Sequence, residues 1–282
     1  MTSASELSEI SKVHDLIGEI RQHRLVVHNM TNQVAMTLSA NVLLALGASP
    51  VMTIAEEEID DWATNAAALV VNVGTALGSH IPSMKLAVSA YTSKGKPWVL
   101  DPVGVGATAF RNRSSSELAS MGPTIIRANA NEVIALAGLT ATEETEDETS
   151  LSHGSLDASE DSGRAIRAAQ KLAAFSKGVV VVTGQTDYVT DGQKIVSLDG
   201  GSKLIQLSTA TGCALSATIA AFLPFTSALM AGVSGCAVYK AATKLASMVA
   251  AGPGDMPHQL CNAIHNLTVD KLADQVRITE IY

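Results

Sequence analysis

Gly178-Val179-Val180-Val181-Val182-Thr183-Gly184 is the stretch that decides the fold. Four consecutive β-branched residues read as a strand, and a run without polar alternation reads as one buried on both faces. Thr183-Gly184 closes it. The pattern recurs outward in the chain. Leu25-Val26-Val27, Ser49 to Thr53, Ala68 to Val73 (closed by Gly74-Thr75), Pro97 to Leu100 (ending at Asp101) and Thr124 to Ile126 (ending at Arg127) all read as buried strands. Helical spacings lie among them: Ser5 to Ile20, Gln33 to Leu46 ended by Gly47, a helix opening at Glu56-Glu57-Glu58-Ile59, and Met84 to Tyr91. Apolar strands alternating with helices predict an α/β layered fold, with a mostly parallel central sheet and helices on both faces. Tyr188-Val189-Thr190 and Ile195-Val196-Ser197 predict a hairpin around Asp191-Gly192.

Composition sets limits on partners. The chain has 282 residues, of which 47% are hydrophobic and 16% charged, so it can bury a large core. A formal net charge of −8 argues against nucleic acid or an anionic membrane as partner. Cys213, Cys236 and Cys261 are an odd, widely spaced set with no metal-type spacing, which suits a reducing, cytoplasmic setting. Leu204 to Tyr239 carries no charge. Pro224 and many small residues make it two buried helices rather than a membrane span. Glu143 to Asp161 holds eight acids and no Lys or Arg, and is expected to be a mobile, solvated loop. No linker divides the chain, so a single domain over residues 1–282 is expected.

In open parallel sheets, ligands sit at the carboxyl ends of the strands. His28 to Asn32, Asp101, Arg127, Asn129, Glu132 and Thr183 therefore become candidates. Ser208-Thr209-Ala210-Thr211-Gly212-Cys213 feeds small residues into a helix start, where free N–H groups and the helix dipole favour an anion. Cys213 would have its thiolate favoured there; equally, Cys is a common core residue. Asp101 with Gly104-Val105-Gly106 permits a dinucleotide turn, but the third glycine is poorly placed. The alternative is a glycine-bordered turn approaching a ligand, with Asp101 holding a hydrated Mg²⁺. Asn129 and Glu132 have the spacing of a capping box, and also suit Mg²⁺ through water. Arg127 is a fork for phosphate or an exposed charge. His28, beside Val26-Val27, reads as a packed histidine more than as a base.

Together these residues resemble the hydroxyethylthiazole kinase family, of the ribokinase-like superfamily. The resemblance spans about Val27 to Leu267. It rests on Val27-His28-Asn29-Met30-Thr31-Asn32, Ala48-Ser49-Pro50-Val51-Met52, Asp101-Pro102-Val103-Gly104-Val105-Gly106-Ala107-Thr108 with Arg111, Asn129-Ala130-Asn131-Glu132, Val182-Thr183-Gly184, Thr211-Gly212-Cys213 and Gly252-Pro253-Gly254. It implies transfer of the ATP γ-phosphate to the primary hydroxyl of 4-methyl-5-(2-hydroxyethyl)thiazole, with Mg²⁺, in a homotrimer with sites at subunit interfaces. By the same resemblance, Met52, Asn32, Ala210 and Gly212 meet the thiazole. Arg127, Thr183 and Asn129 bind ATP. Asp101 and Glu132 support the metal, and Cys213 is the catalytic residue nearest the hydroxyl. The family usually has glycine where this chain has Ala210.

Overall fold

The computed structural model describes residues 4–141 and 158–281. Among them the strands are β1 (Val26–Met30), β2 (Ser49–Val51), β3 (Ala68–Asn72), β4 (Trp98–Asp101), β5 (Ile125–Asn129), β6 (Val179–Thr183), β7 (Asp187–Thr190), β8 (Ile195–Gly200) and β9 (Val276–Ile281). They form one sheet in the order β2-β1-β3-β4-β5-β6-β7-β8-β9. Strands β1 to β6 pair in parallel. The last three join antiparallel. The expected layered architecture is present.

Val179 to Val182 explains the layering. Successive side chains on a strand point to opposite faces. Val179 and Val181 enter a core shared with α1 (Ala4–His23), α2 (Met36–Leu46), α8 (Thr211–Phe222), α9 (Ala228–Val249), α10 (Met256–His265) and α11 (Val269–Gln275). Val180 and Val182 enter the opposite core, with α3 (Ile59–Asn65), α4 (His80–Ser93), α5 (Ala109–Ala119), α6 (Ala130–Thr140) and α7 (Ala158–Ser176). Each buried valine contributes about 1.5–3 kcal/mol relative to an exposed one.

The same alternation sorts the polar residues. Val99 lies in the α8 core and Leu100 in the other, so Asp101 faces α8. Asn72 follows Val70, Arg127 follows Ile125 and Thr183 follows Val181, each two residues on and on the same face. His28 follows Val27 and faces the other way. Both its ring nitrogens are engaged, one 3.2 Å from the Tyr91 hydroxyl and the other 3.1 Å from the Thr53 carbonyl. It is a packed histidine, with its basicity lowered chiefly by burial.

Several boundaries differ from expectation. Strand β1 runs on through His28-Asn29-Met30, and α2 starts at Met36 rather than Gln33. The hairpin loop is four residues, Thr190 pairing with Ile195. Asp191 turns it by accepting the N–H groups of Gln193 and Lys194. Residues 158–161 of the expected acidic loop are helical instead, since Ala158 opens α7; residues 143–157 lie outside the described residues. No described helix is long and apolar enough to cross a membrane.

Candidate active site

The polar residues converge at the carboxyl edge of the parallel strands. Register places Asn72 beside Asp101 and Asn129 beside Thr183. Asp101 is fully buried. Its Oδ2 accepts from Asn72 Nδ2 at 2.7 Å and from Ser216 Oγ, on α8, at 2.8 Å. Its Oδ1 has no hydrogen-bond donor and lies 3.6 Å from Arg127 Nη1. Burial raises the Asp101 pKa above the ordinary carboxylate range, against the pull of Arg127.

Arg127 is buried too, which rules out a merely exposed charge. Burial opposes its charge, but Asp101 and then Glu132 more than restore it, so the guanidinium stays protonated. Nη2 donates to Thr183 Oγ1 at 2.7 Å. Nε has no partner. The fork is braced on one side and open on the other. Gly212, in the first turn of α8, lies hard against it: a Cβ there would stand 2.8 Å from Nη2 and 2.9 Å from Nη1. Only glycine permits this approach of a helix start to a guanidinium.

Asn129 and Glu132 form a full capping box at the start of α6. Glu132 does more than cap. Its Oε1 accepts the N–H of Gly104 at 2.8 Å while its Oε2 accepts that of Asn129 at 3.0 Å. It thereby ties the loop after β4 to the strand β5 terminus. Gly104, at φ 74°, makes that loop, so the dinucleotide reading of Gly104-Val105-Gly106 gives way to a clamp on Glu132. Arg111 holds the loop from the other side, donating to the carbonyls of Val73 and Val103.

On the α8 side, Asn32 Nδ2 donates to Asn72 Oδ1 at 2.9 Å and meets Cys213 Sγ at 3.3 Å. A chain of contacts thus runs from Cys213 through Asn32 and Asn72 to Asp101. The expectation that the helix start favours the thiolate is reversed. Burial and the charge of Asp101 raise the Cys213 pKa to about 11, outweighing Arg127 and the two asparagines. Met52 stands half-buried just past β2, on the same carboxyl edge as Asn32. It is not among the residues lining the cavity described next.

A cavity of about 480 Å³ opens beside Arg127. Asn129, Thr183, Thr211 and Gly212 line it, with Gly184, Gln185, Gly200 and Gly201 beyond. No side chain caps α8. Its first N–H groups and the dipole's positive end are therefore available at the end of the cavity lined by Thr211 and Gly212. Asn72, Ser216, Asp187 and Lys240 also belong here and were not anticipated. Asn72, Ser216 and Lys240 are each a lone polar residue in or beside an apolar run, and such a residue needs a buried partner. That signal was readable at Asn72, inside a strand, and at Lys240, the first charge after the neutral stretch.

Ala210 caps α8 in the left-handed region, at φ 68° and ψ −4°. A Cβ makes that conformation cost roughly 1–2 kcal/mol. Ala210→Gly is therefore expected to stabilise the fold by about 0.5–1 kcal/mol after the entropy cost of glycine. A thermal melt checks this: an unchanged or lower midpoint would contradict a strained cap.

The sheet order, the polar cluster at its carboxyl edge and the helix start facing a cavity define the ribokinase-like class. The pyridoxal kinase from Staphylococcus aureus solved with AMP-PCP shares this fold, with a TM-score of 0.63 at 20% identity over 91% of this chain and 98% of its own. A hydroxyethylthiazole kinase structure from Pyrococcus horikoshii is far more similar, with a TM-score of 0.86 and 33% identity over 96% of this chain and 100% of its own. The model of the Hydroxyethylthiazole kinase family matches residues 17–270, and the chain belongs to that family. Among curated relatives, the hydroxyethylthiazole kinase of Shigella boydii serotype 18 is 42% identical over 93% of this chain and 96% of its own length. The one from Zea mays is 38% identical over 94% and 91%.

Proposed function

We propose that the chain transfers the γ-phosphate of ATP to the primary hydroxyl of hydroxyethylthiazole, as the names of its relatives imply. The observation that carries this is the buried Arg127 fork, open towards a cavity that an uncapped helix start also faces. Phosphoryl transfer has a loose transition state, with charge on the equatorial oxygens. Donors fixed beforehand around that charge supply most of the catalysis. Arg127 supplies the guanidinium, braced by Asp101 and Thr183. The first N–H groups of α8 supply the rest. The acceptor oxygen bonds to the γ-phosphorus as the bond from phosphorus to the bridging oxygen breaks, the hydroxyl proton passes to an oxygen of the transferring phosphoryl group, and ADP leaves.

Mg²⁺ fits the donor set through the substrate's phosphates. No cluster of three or more His, Cys, Asp or Glu able to hold a metal exists among the described residues. Carboxylates that leave the remaining positions to phosphate and water suit Mg²⁺. Asp101, whose Oδ1 accepts no hydrogen bond, and the half-buried Glu132 would hold it. Bound there, it would neutralise phosphate charge.

Asn32, Met52, Ala210 and Gly212 form the acceptor side in this reading, with Cys213 nearest the hydroxyl. A thiol at about 11 stays protonated at neutral pH, so Cys213 orients the hydroxyl rather than removing its proton. Cys213→Ser is accordingly expected to keep measurable activity and an unchanged pH–rate profile between roughly pH 7 and 9. A thiolate base would instead give wild type a rate rising about tenfold per pH unit, absent in the variant. A homotrimer with shared sites agrees with the exposed apolar Leu207, Met248 and Val249 near this side. Ser208, next to Leu207, bonds the Pro253 carbonyl in the loop that follows Val249. A cytoplasmic location agrees with three free cysteines. Incubation with Mg-ATP and the thiazole alcohol tests the reaction: ADP and thiazole monophosphate should form one for one.

A further inference from the structure

Two buried charges beside the cavity take no part in the chemistry above. Lys240, on α9, and Asp187, at the start of β7, are 7% and 4% exposed, and both line the cavity. Lys240 Nζ lies 3.1 Å from Asp187 Oδ1. It donates to the carbonyls of Gly184 at 3.0 Å and Gln185 at 2.7 Å. An ammonium has three donors, and all three are engaged inside the protein. Lys240 is therefore not a direct ligand for phosphate. Asp187 Oδ1 also accepts the Gly184 N–H at 2.9 Å, so the ion pair grips both polar groups of one glycine.

The lysine stem has a second task. Gly201, at φ 81°, runs so close that a Cβ there would stand 3.2 Å from Lys240 Cδ and 3.2 Å from Thr243 Oγ1. Lys240 thus sits between the turn after β6 and the turn after β8, which form two walls of the cavity. Its charge matters as well. Arg127 feels three carboxylates: Asp101, Glu132 and Asp187. Lys240 is the counter-charge for the third.

We propose that Lys240 is a positioning residue for the nucleotide: it fixes the Gly184–Asp187 turn against the Gly200-Gly201 turn and occupies Asp187, leaving Arg127 free for phosphate. This rests on the ATP reading of the cavity. A buried ion pair with a purely structural role is the competing account, and the variants below separate the two.

Lys240→Met is expected to raise the KM for ATP by about tenfold or more, with the KM for the acceptor within about twofold. Lys240→Ala is expected to recover ATP affinity with added n-propylammonium, which rebuilds stem and charge, but not with n-propanol. Either single variant leaves Asp187 buried without its partner, so the double variant Lys240→Met with Asp187→Asn keeps the test open. It should recover the melting midpoint and lose the part of the KM rise caused by an unpaired Asp187, while the KM for ATP stays at least about threefold above wild type, because the Gly184 and Gln185 carbonyls still lack their ammonium. If midpoint and ATP KM both return to wild type, or if a folded Lys240→Met shows an unchanged ATP KM, Lys240 is structural only. Equal rises in both KM values also overturn the proposal. A wild type that consumes no ATP with the thiazole alcohol would instead overturn the kinase reading itself.

Discussion

Arg127→Ala is expected to lower kcat by about a thousandfold, the largest effect of any single substitution in the site. The guanidinium is charged and braced by Asp101 and Thr183 before any ligand arrives. No reorganisation is then needed as the phosphoryl charge develops. Removing it also leaves Asp101 without its counter-charge in a fully buried place, and loss of one partner of a buried pair costs about 3–5 kcal/mol. Asp101, already raised by burial, would respond by taking up a proton. The kinetic effect must therefore be read on protein shown by thermal melting to be folded. Arg127→Lys serves as the second variant: it restores a charge but not the fork, and should recover only a small part of the rate. Single-turnover rates at saturating ATP make the comparison. A loss under about tenfold in folded Arg127→Ala would exclude Arg127 from the transition state.

Asp101→Asn is the second large effect, with kcat falling about 10²–10³-fold. The side chain keeps its shape and its contacts with Asn72 and Ser216, but loses the charge that holds Arg127 and that would support the metal. Stability should move differently from activity. Burial raises the Asp101 pKa, so the native state favours the neutral acid. Between the ordinary carboxylate range and the raised value, the native state binds more protons than the unfolded chain, and stability falls as pH rises. The ionised carboxylate therefore costs native stability above its raised pKa, and that cost disappears below the ordinary range. Asp101→Asn removes it, but also leaves Arg127 buried without its counter-charge, a loss that does not vary with pH over this range. The variant should be most favourable relative to wild type at neutral pH, and the difference should shift towards wild type on acidification. Melts across that range, alongside kcat, check both halves. A variant with near-normal kcat would contradict the role of the charge.

Much of this molecule was readable from local chemistry. Val179 to Val182 announced a sheet covered on both faces, because four β-branched residues in a row leave no solvent face. Which of the strand-end candidates share a face was settled by the structure, where Asp101, Arg127 and Thr183 lie on one side and His28 on the other. What escaped depended on contacts far apart in sequence. Asn72 and Ser216 matter because they meet Asp101, 29 and 115 residues away. Lys240 matters because it reaches back 53 residues to Asp187 and 55 to Gln185. The Cys213 expectation failed on magnitude. A helix start does favour a thiolate, but burial beside a carboxylate outweighs it here. Ala210 was a departure visible only by likeness to a family, and its positive φ is a conformation that glycine adopts without a Cβ penalty.

A kinase whose acceptor side suits a thiazole alcohol should discriminate sharply among small alcohols. Steady-state kinetics of the purified chain with Mg-ATP and, separately, hydroxyethylthiazole, pyridoxal and hydroxymethylpyrimidine, following ADP and the phosphorylated product, measures that discrimination. Turnover is expected with hydroxyethylthiazole, at a kcat/KM at least about a hundredfold above the other two alcohols, the order of discrimination a shaped pocket achieves. Tight thiazole binding without ADP formation, or faster turnover of either other alcohol, would contradict this expectation.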